Sequence, residues 1–245
     1  MDSPLHSDTL ARAPWRDLIL AGLGLAGLLT LCTLTLGLST LPLAMGGLLY
    51  LALTLLLVTG LALSRSRFGP ADRVTLGRAV LVLFLASLTF HPELLQRMAW
   101  PYALLCLGAL VMDGFDGYVA RRTGTASRFG ARFDMELDAF FILMLCIALM
   151  VLGKAGRSVL LIGLKRHGFV MAGWYWTWLN GPLPESFRRK TVCVWQLVTL
   201  MVALLPVTPD LFAHATLIVA LVLLIWSFAI DIYYLYRHAS TRSPT

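Results

Sequence analysis

The stretch DGFDGYVARRTGTASRFGARFDMELD, residues 113–138, interrupts a chain built mostly of leucine, valine, alanine and glycine. It holds Asp113, Asp116, Asp134, Glu136 and Asp138, in a chain of 245 residues with only 13 acids. At about 100° per residue, Asp113 and Asp116 lie roughly 60° apart on one helix face, and Asp134 and Asp138 roughly 40° apart on another. The intervening YVARRTGTASRFGARF (118–133) is polar and glycine-containing. It reads as a short turn between antiparallel neighbours that aim their carboxylates at one point. Glu136 falls about 160° from its flanking aspartates and is expected to face elsewhere.

The sequence on either side decides the fold class. With 58% hydrophobic and 13% charged residues and a mean hydropathy of +0.79, the chain is too apolar for a soluble domain and long enough for several membrane spans. Apolar runs fall near 18–38, 41–63, 75–90, 101–120, 133–152, 158–179, 191–205 and 211–236, which predicts an all-α integral membrane protein with about eight transmembrane helices. Backbone groups in lipid must be satisfied within their own segment, and no strand-like alternation recurs, so helices are favoured over a barrel. The first two runs are nearly free of charge and contain AGLGLAG (21–27), which suits close helix packing. SRSRFGPADR (64–73) then breaks the pattern. Residues 1–63 therefore read as an N-terminal cytoplasmic segment with two extra helices, and 64–245 as a six-helix working core.

Basic residues set the expected orientation, because positive charge collects in short cytoplasmic loops. With the N-terminus inside, one side collects Arg12, Arg16, Arg65, Arg67, Arg73, Arg78, Arg121, Arg122, Arg128, Arg132, Arg188, Arg189, Lys190, Arg237 and Arg242, and the other only Arg97, Lys154 and Arg157. Both termini and the acid cluster are then cytoplasmic, in a multi-pass protein of the cell (inner) membrane. The N-terminal MDSPLHSDTLARAPWRD carries acids and no small-residue cleavage site follows, so the first apolar run is kept as a membrane helix. The net charge of +7 fits topology and anionic lipid headgroups rather than nucleic acid. Cys32, Cys106, Cys146 and Cys193 fall within spans at no metal-binding spacing and read as buried thiols.

An aspartate near a span centre costs about 2.5 to 3.5 kcal/mol, so a convergent quartet needs cations. Oxygen-only ligands at i,i+3 and i,i+4 on facing helices suit one or two hard divalent ions, Mg²⁺ or Mn²⁺. Zinc is disfavoured, since the cluster has no histidine or cysteine. Mg²⁺ normally brings phosphate oxygens, which points to a phosphorylated substrate. An ion- or proton-coupled transporter also places acids in membrane helices. Here, however, the acids straddle a cytoplasmic loop and no mirrored second cluster exists.

The same residues carry a family resemblance. Asp113, Asp116, Gly117, Ala120, Arg121, Gly130, Asp134 and Asp138 fit DxxDGxxAR(x8)GxxxDxxxD without a gap. The pattern resembles that of the CDP-alcohol phosphotransferases, integral membrane enzymes of phospholipid synthesis with a six-helix core, and the likeness covers roughly 70–236. What the resemblance implies is specific. Asp113, Asp116 and Asp134 would hold divalent metal against the diphosphate of a CDP-linked substrate, with Asp138 completing the metal cluster and acting as general base toward the attacking alcohol. Gly117 and Ala120 would lie beside the cytidine, with Arg121 and Gly130 in the same nucleotide site. The implied partners are CDP-diacylglycerol, an alcohol acceptor and membrane lipids, without nucleic acid, and the resemblance also admits a homodimer.

Three further segments agree less sharply with the family pattern. In GPADRVTLGRA (69–79), Thr75 and Arg78 match its nucleotide-contacting threonine and arginine, while Asp72 replaces the usual asparagine; helix capping and interfacial placement are the plain alternative. Lys165 and Arg166 are charges inside an apolar span, and Arg166 is expected to contact the acceptor or its phosphate. FRRKTVCVWQ (187–196) resembles a lysine-containing motif of glycerophosphate-using relatives, with Lys190 and Gln196 in register and Cys193 in place of threonine. Arg189 and Lys190 are expected at the acceptor phosphate, or at lipid headgroups. Glycerol 3-phosphate is the first acceptor expected. Inositol phosphate, serine, phosphatidylglycerol, or a small CDP-alcohol donating to diacylglycerol are the alternatives.

Overall fold

The computed structural model describes residues 14–64, 68–123, 127–181 and 186–240. Among them every regular element is helical: α1 (Trp15–Leu36), α2 (Leu41–Ser64), α3 (Pro70–Leu88), the short α4 (Pro92–Arg97), α5 (Ala99–Thr123), α6 (Arg128–Val151), α7 (Leu160–Tyr175), α8 (Phe187–Leu204) and α9 (Asp210–Ser240). Single 3-10 turns at Arg157–Val159 and Thr177–Asn180 flank α7. Each of the eight apolar runs coincides with one main helix, the run at 158–179 also taking in the 3-10 turns on either side of α7. Four helices are long and apolar enough by themselves to cross a membrane: α1, α2, the Ala99–Val119 part of α5 and the Asp210–His238 part of α9. The rest are interrupted by charge, as α3 is by Asp72, Arg73 and Arg78, or are short, as α7 is.

The connection expected over 118–133 is mostly helix. α5 continues to Thr123 and α6 begins at Arg128. Hydropathy marks where a helix leaves the hydrocarbon, whereas the backbone ladder continues as long as its own hydrogen bonds are satisfied. The aspartates therefore sit on rigid helix, which fixes them better than a loop would.

The helices form two compact units, residues 1–91 with 101–138, and 92–100 with 139–245. In the first, α1, α2 and α3 pack on one another. Helix α3 is the inner member, with Leu76, Ala79, Val82, Leu83, Leu85 and Ala86 all buried. By contrast Leu20, Leu31, Leu34, Leu51 and Leu63 of α1 and α2 are exposed, an apolar surface that suits lipid rather than water. The Tyr50 hydroxyl on α2 donates to the Leu18 carbonyl on α1. Arg73 on α3 pairs with Asp17 on α1 at 3.1 Å.

In the second unit α8 packs on α9, and α7 touches α9. A Cβ at Gly163 of α7 would lie 2.9 Å from the Cα of Leu143, so only glycine lets these two backbones approach so closely. Lys154 donates to the carbonyls of Ala203 at 3.3 Å and Leu205 at 2.5 Å, satisfying the unpaired C-terminal end of α8.

Candidate active site

Helix α3 starts at Pro70, whose fixed φ suits a first helical position. The carboxylate of Asp72 turns back to accept the Gly69 N–H at 2.7 Å, satisfying a donor that the helix leaves unpaired. Burial pushes the Asp72 carboxyl above its ordinary range, and the Gly69 N–H pulls it partly back. Thr75 is also buried and donates to the Ala71 carbonyl of its own helix at 3.2 Å. Helix α6 is started by Ser127, whose hydroxyl accepts the Gly130 N–H at 2.8 Å in the usual N-cap geometry. A side chain at Gly130 would run into Asp72 Oδ1 and come within 3.1 Å of Ser127 Oγ. The space beside Gly130 is therefore filled by the Asp72 carboxylate.

Less than two turns beyond Asp72, Arg78 points into the aspartates. Its Nη1 donates to Asp113 Oδ1 on α5. Its Nη2 donates to Asp134 Oδ1 at 2.7 Å and Asp138 Oδ1 at 3.1 Å, both on α6. The i,i+4 spacing thus puts Asp134 and Asp138 on one face, opposite the face of α5 that bears Asp113. The Arg78 side chain is only 2% exposed, while those of Asp113, Asp134 and Asp138 are 34%, 33% and 27% exposed. The guanidinium lies on the buried side of the cluster and the carboxylates on its open side.

This donor set fits a divalent cation. One oxygen of each carboxylate lies within 4.8 Å of the other two, a spacing that allows all three to touch one ion at the roughly 2.0 to 2.6 Å of hard cations. The ligands are oxygens only, which favours Mg²⁺ or Mn²⁺ over zinc. Three carboxylates against one guanidinium leave a residual negative charge that a divalent ion can neutralise.

Asp116 and Ala120 lie on α5 with Arg121, but their side chains fall outside the described residues, as does that of Lys190. Gly117 is half-buried on α5, and Glu136 is not one of the grouped acids. Arg78, expected at the nucleotide, makes ion pairs with three of the aspartates.

The residues expected at the acceptor belong to the second unit. Arg166 is half-buried on α7, next to Lys165, which donates to Gln196 on α8. Arg188 donates to the Ser227 carbonyl at 2.5 Å, the Ser227 hydroxyl at 2.7 Å and Asp231 Oδ1 at 2.5 Å, with its guanidinium 5.8 Å from the Trp226 ring centre. Arg189 shares the same Asp231 oxygen at 3.4 Å. Sequence reasoning missed Asp231. The signal was an acid inside the apolar run 211–236, which in a membrane helix calls for a cationic partner.

Fold and site together define a helical membrane protein that presents a carboxylate cluster able to hold a divalent ion. The chain belongs to the CDP-alcohol phosphatidyltransferase family, whose sequence model matches residues 68–226. It is 30% identical over 173 residues to a probable phosphatidylglycerophosphate synthase of Mycobacterium tuberculosis, strain CDC 1551 / Oshkosh, a match covering 68% of this chain and 81% of the relative. The counterpart from strain ATCC 25618 / H37Rv matches to the same extent. No solved structure matches the chain. The protein is thus a transferase of the CDP-alcohol phosphatidyltransferase type, embedded in a membrane, in a family that uses divalent metal.

Proposed function

We propose that the protein transfers the phosphatidyl group of CDP-diacylglycerol to glycerol 3-phosphate, releasing CMP at the cytoplasmic face of the inner membrane. The observation that carries this reading is the convergence of Asp113, Asp134 and Asp138 within 4.8 Å of one another. These three, with Asp116, are the residues that would hold Mg²⁺ or Mn²⁺. Such an ion, when bound, supplies charge neutralisation and orientation at the diphosphate. Asp138 accepts the proton of the attacking hydroxyl, the role that the family pattern gives to the last aspartate of the motif. Thr75, Arg78, Gly117, Ala120, Arg121 and Gly130 belong to the nucleotide side of the site, with Arg78 fixing the carboxylates and Gly130 admitting Asp72.

The acceptor rests on charge. Asp231 is one acid facing both Arg188 and Arg189, which leaves that end of α8 net positive, and Arg166 and Lys190 add to the basic character expected of a phosphate-binding pocket. The name of the mycobacterial relatives points the same way.

The test is purified protein with CDP-diacylglycerol, Mg²⁺ and, in separate reactions, glycerol 3-phosphate, inositol phosphate, serine or phosphatidylglycerol. CMP release with glycerol 3-phosphate is expected, and Asp138→Asn abolishes it. Release that survives this substitution removes Asp138 as the base. Release only with another alcohol, or only from CDP-choline with diacylglycerol, overturns the acceptor or the donor.

A further inference from the structure

Helices α1 and α2 precede the family match, which begins at residue 68. We infer that this pair acts as a brace that sets the position of the aspartate-bearing helix α6 against α3, with Gly60 and Phe129 as positioning residues. The inference rests on the reading of the aspartate cluster given above.

Near the C-terminal end of α2, a Cβ on Gly60 would lie 2.9 Å from Phe129 Cε2 and 3.5 Å from Cδ2. The ring is not free to yield. Phe129 is 6% exposed and stacks on Phe133, itself 3% exposed, at 6.3 Å between centres and 26° between planes. Phe129 directly precedes Gly130, the position where any side chain would meet the Asp72 carboxylate of α3. One line of contact therefore runs from α2 through the first turn of α6 to α3. Asp134 follows Phe129 by five residues on the same helix, about 7.5 Å along the axis, so a displacement of α6 that relieves the packed ring carries the carboxylate with it.

The brace is fixed to α3 as well. A Cβ at Gly46 of α2 would lie 2.9 Å from Ser87 Oγ of α3 and inside contact distance of Leu29 on α1. Asp17 of α1 holds Arg73, five residues before Arg78. The two extra helices thus touch both the helix carrying the guanidinium and the helix carrying two of its carboxylates. Not all of α2 matters in this way. At Gly47 an added Cβ meets nothing within 4 Å.

The experiment compares Gly60→Val, Gly47→Val and the double variant Gly60→Val with Phe129→Leu, each in the full chain. Readouts are kcat and KM for CDP-diacylglycerol, Mn²⁺ affinity by electron paramagnetic resonance, and the melting midpoint. A misplacement of about 1 Å can cost on the order of 100-fold in rate, and the displacement of α6 that clears a Cβ at 2.9 Å is smaller than that. Gly60→Val is therefore expected to lower kcat about tenfold, with KM nearly unchanged, and to weaken Mn²⁺ binding several-fold. The smaller leucine side chain of the double variant restores both, and Gly47→Val matches the parent. Should Gly60→Val fail to purify folded, Gly60→Ala is expected to show the same pattern at a smaller amplitude.

The brace is overturned if Gly60→Val keeps the parent kcat and Mn²⁺ affinity, if the double variant regains neither, or if Gly47→Val falls as far. A parent protein that binds no Mn²⁺ and releases no CMP overturns the reading of the cluster instead. The loss and recovery of the melting midpoint across the Gly60 and Phe129 pair then still decides whether α2 presses on α6, because that readout needs neither metal nor substrate.

Discussion

Replacing Arg78 with glutamine is expected to make the fold dependent on divalent metal. The guanidinium contacts three carboxylates, at 2.7 Å for Asp134, at 3.1 Å for Asp138 and in direct contact for Asp113. A pair of unit charges about 4 Å apart is worth about 1 kcal/mol in water and about 4 kcal/mol at an effective dielectric of 20. Because the aspartates are 27% to 34% exposed, the screened end of that range applies. Three pairs then give about 3 kcal/mol, which agrees with the lower end of the cost of stripping one partner from a buried ion pair. For a chain of this size that is a fall of about 6 to 12 °C in melting midpoint. Divalent metal should return much of it. The glutamine variant leaves a more negative cluster, so Mg²⁺ binds it more tightly and adds more stability by linkage, about 2.7 kcal/mol at 100 times the dissociation constant. The assay is a thermal scan of both proteins at one heating rate, in chelator and then in a Mg²⁺ series. A variant that melts with the parent in chelator, or two proteins that gain equally from Mg²⁺, would refute the claim that Arg78 holds the carboxylates together.

Gly130→Ala should cost about 1 to 3 kcal/mol through overlap with Asp72 and depress CMP release, whereas Gly108→Ala, whose Cβ meets only Leu81 Cδ2 at 4.0 Å, should be silent in both assays. Asp72→Asn keeps an acceptor for the Gly69 N–H while removing a charge that burial disfavours. The folded pKa of Asp72 is raised above its ordinary 3.8, so its stabilising contribution is present at pH values below 3.8 and is lost as pH rises through the folded value. The midpoint of Asp72→Asn minus that of the parent should accordingly grow from about pH 3.5 upward and then level off, and a flat difference would remove the burial effect. Asp231→Asn should lower stability by about 1.5 to 3 kcal/mol, the range for hydrogen bonds to charged groups, and raise KM for glycerol 3-phosphate as Arg188 and Arg189 lose their shared partner.

The aspartates were legible because their information is local. Spacings of three and four residues fix which side chains share a helix face, and the paired DxxD and DxxxD segments needed only a close approach of α5 and α6 to meet. Arg78 was legible as a nucleotide-side residue of the family pattern but not as their partner, since its contacts reach 35, 56 and 60 residues along the chain. Asp72 shows the limit more sharply. Its departure from the family's asparagine was visible, yet its place against Gly130 depends on how α3 and α6 settle, which no spacing within either helix encodes. The turn between α5 and α6 was read too long because polarity was taken for irregularity, when 118–123 and 128–133 carry no proline to stop a helix. Asp231 was passed over because the acid sits alone in leucine-rich surroundings and its partners, Arg188 and Arg189, lie on a different helix.

Gly163 abuts the Leu143 backbone itself, and main chain, unlike a ring or a methyl, has no rotamer to retreat into. This makes the position a fixed point for the evolution of the protein. In a saturation library selected for growth, codon 163 should stay glycine even in backgrounds where Leu143 has been shortened, while codon 168, where an added Cβ meets nothing within 4 Å, drifts freely.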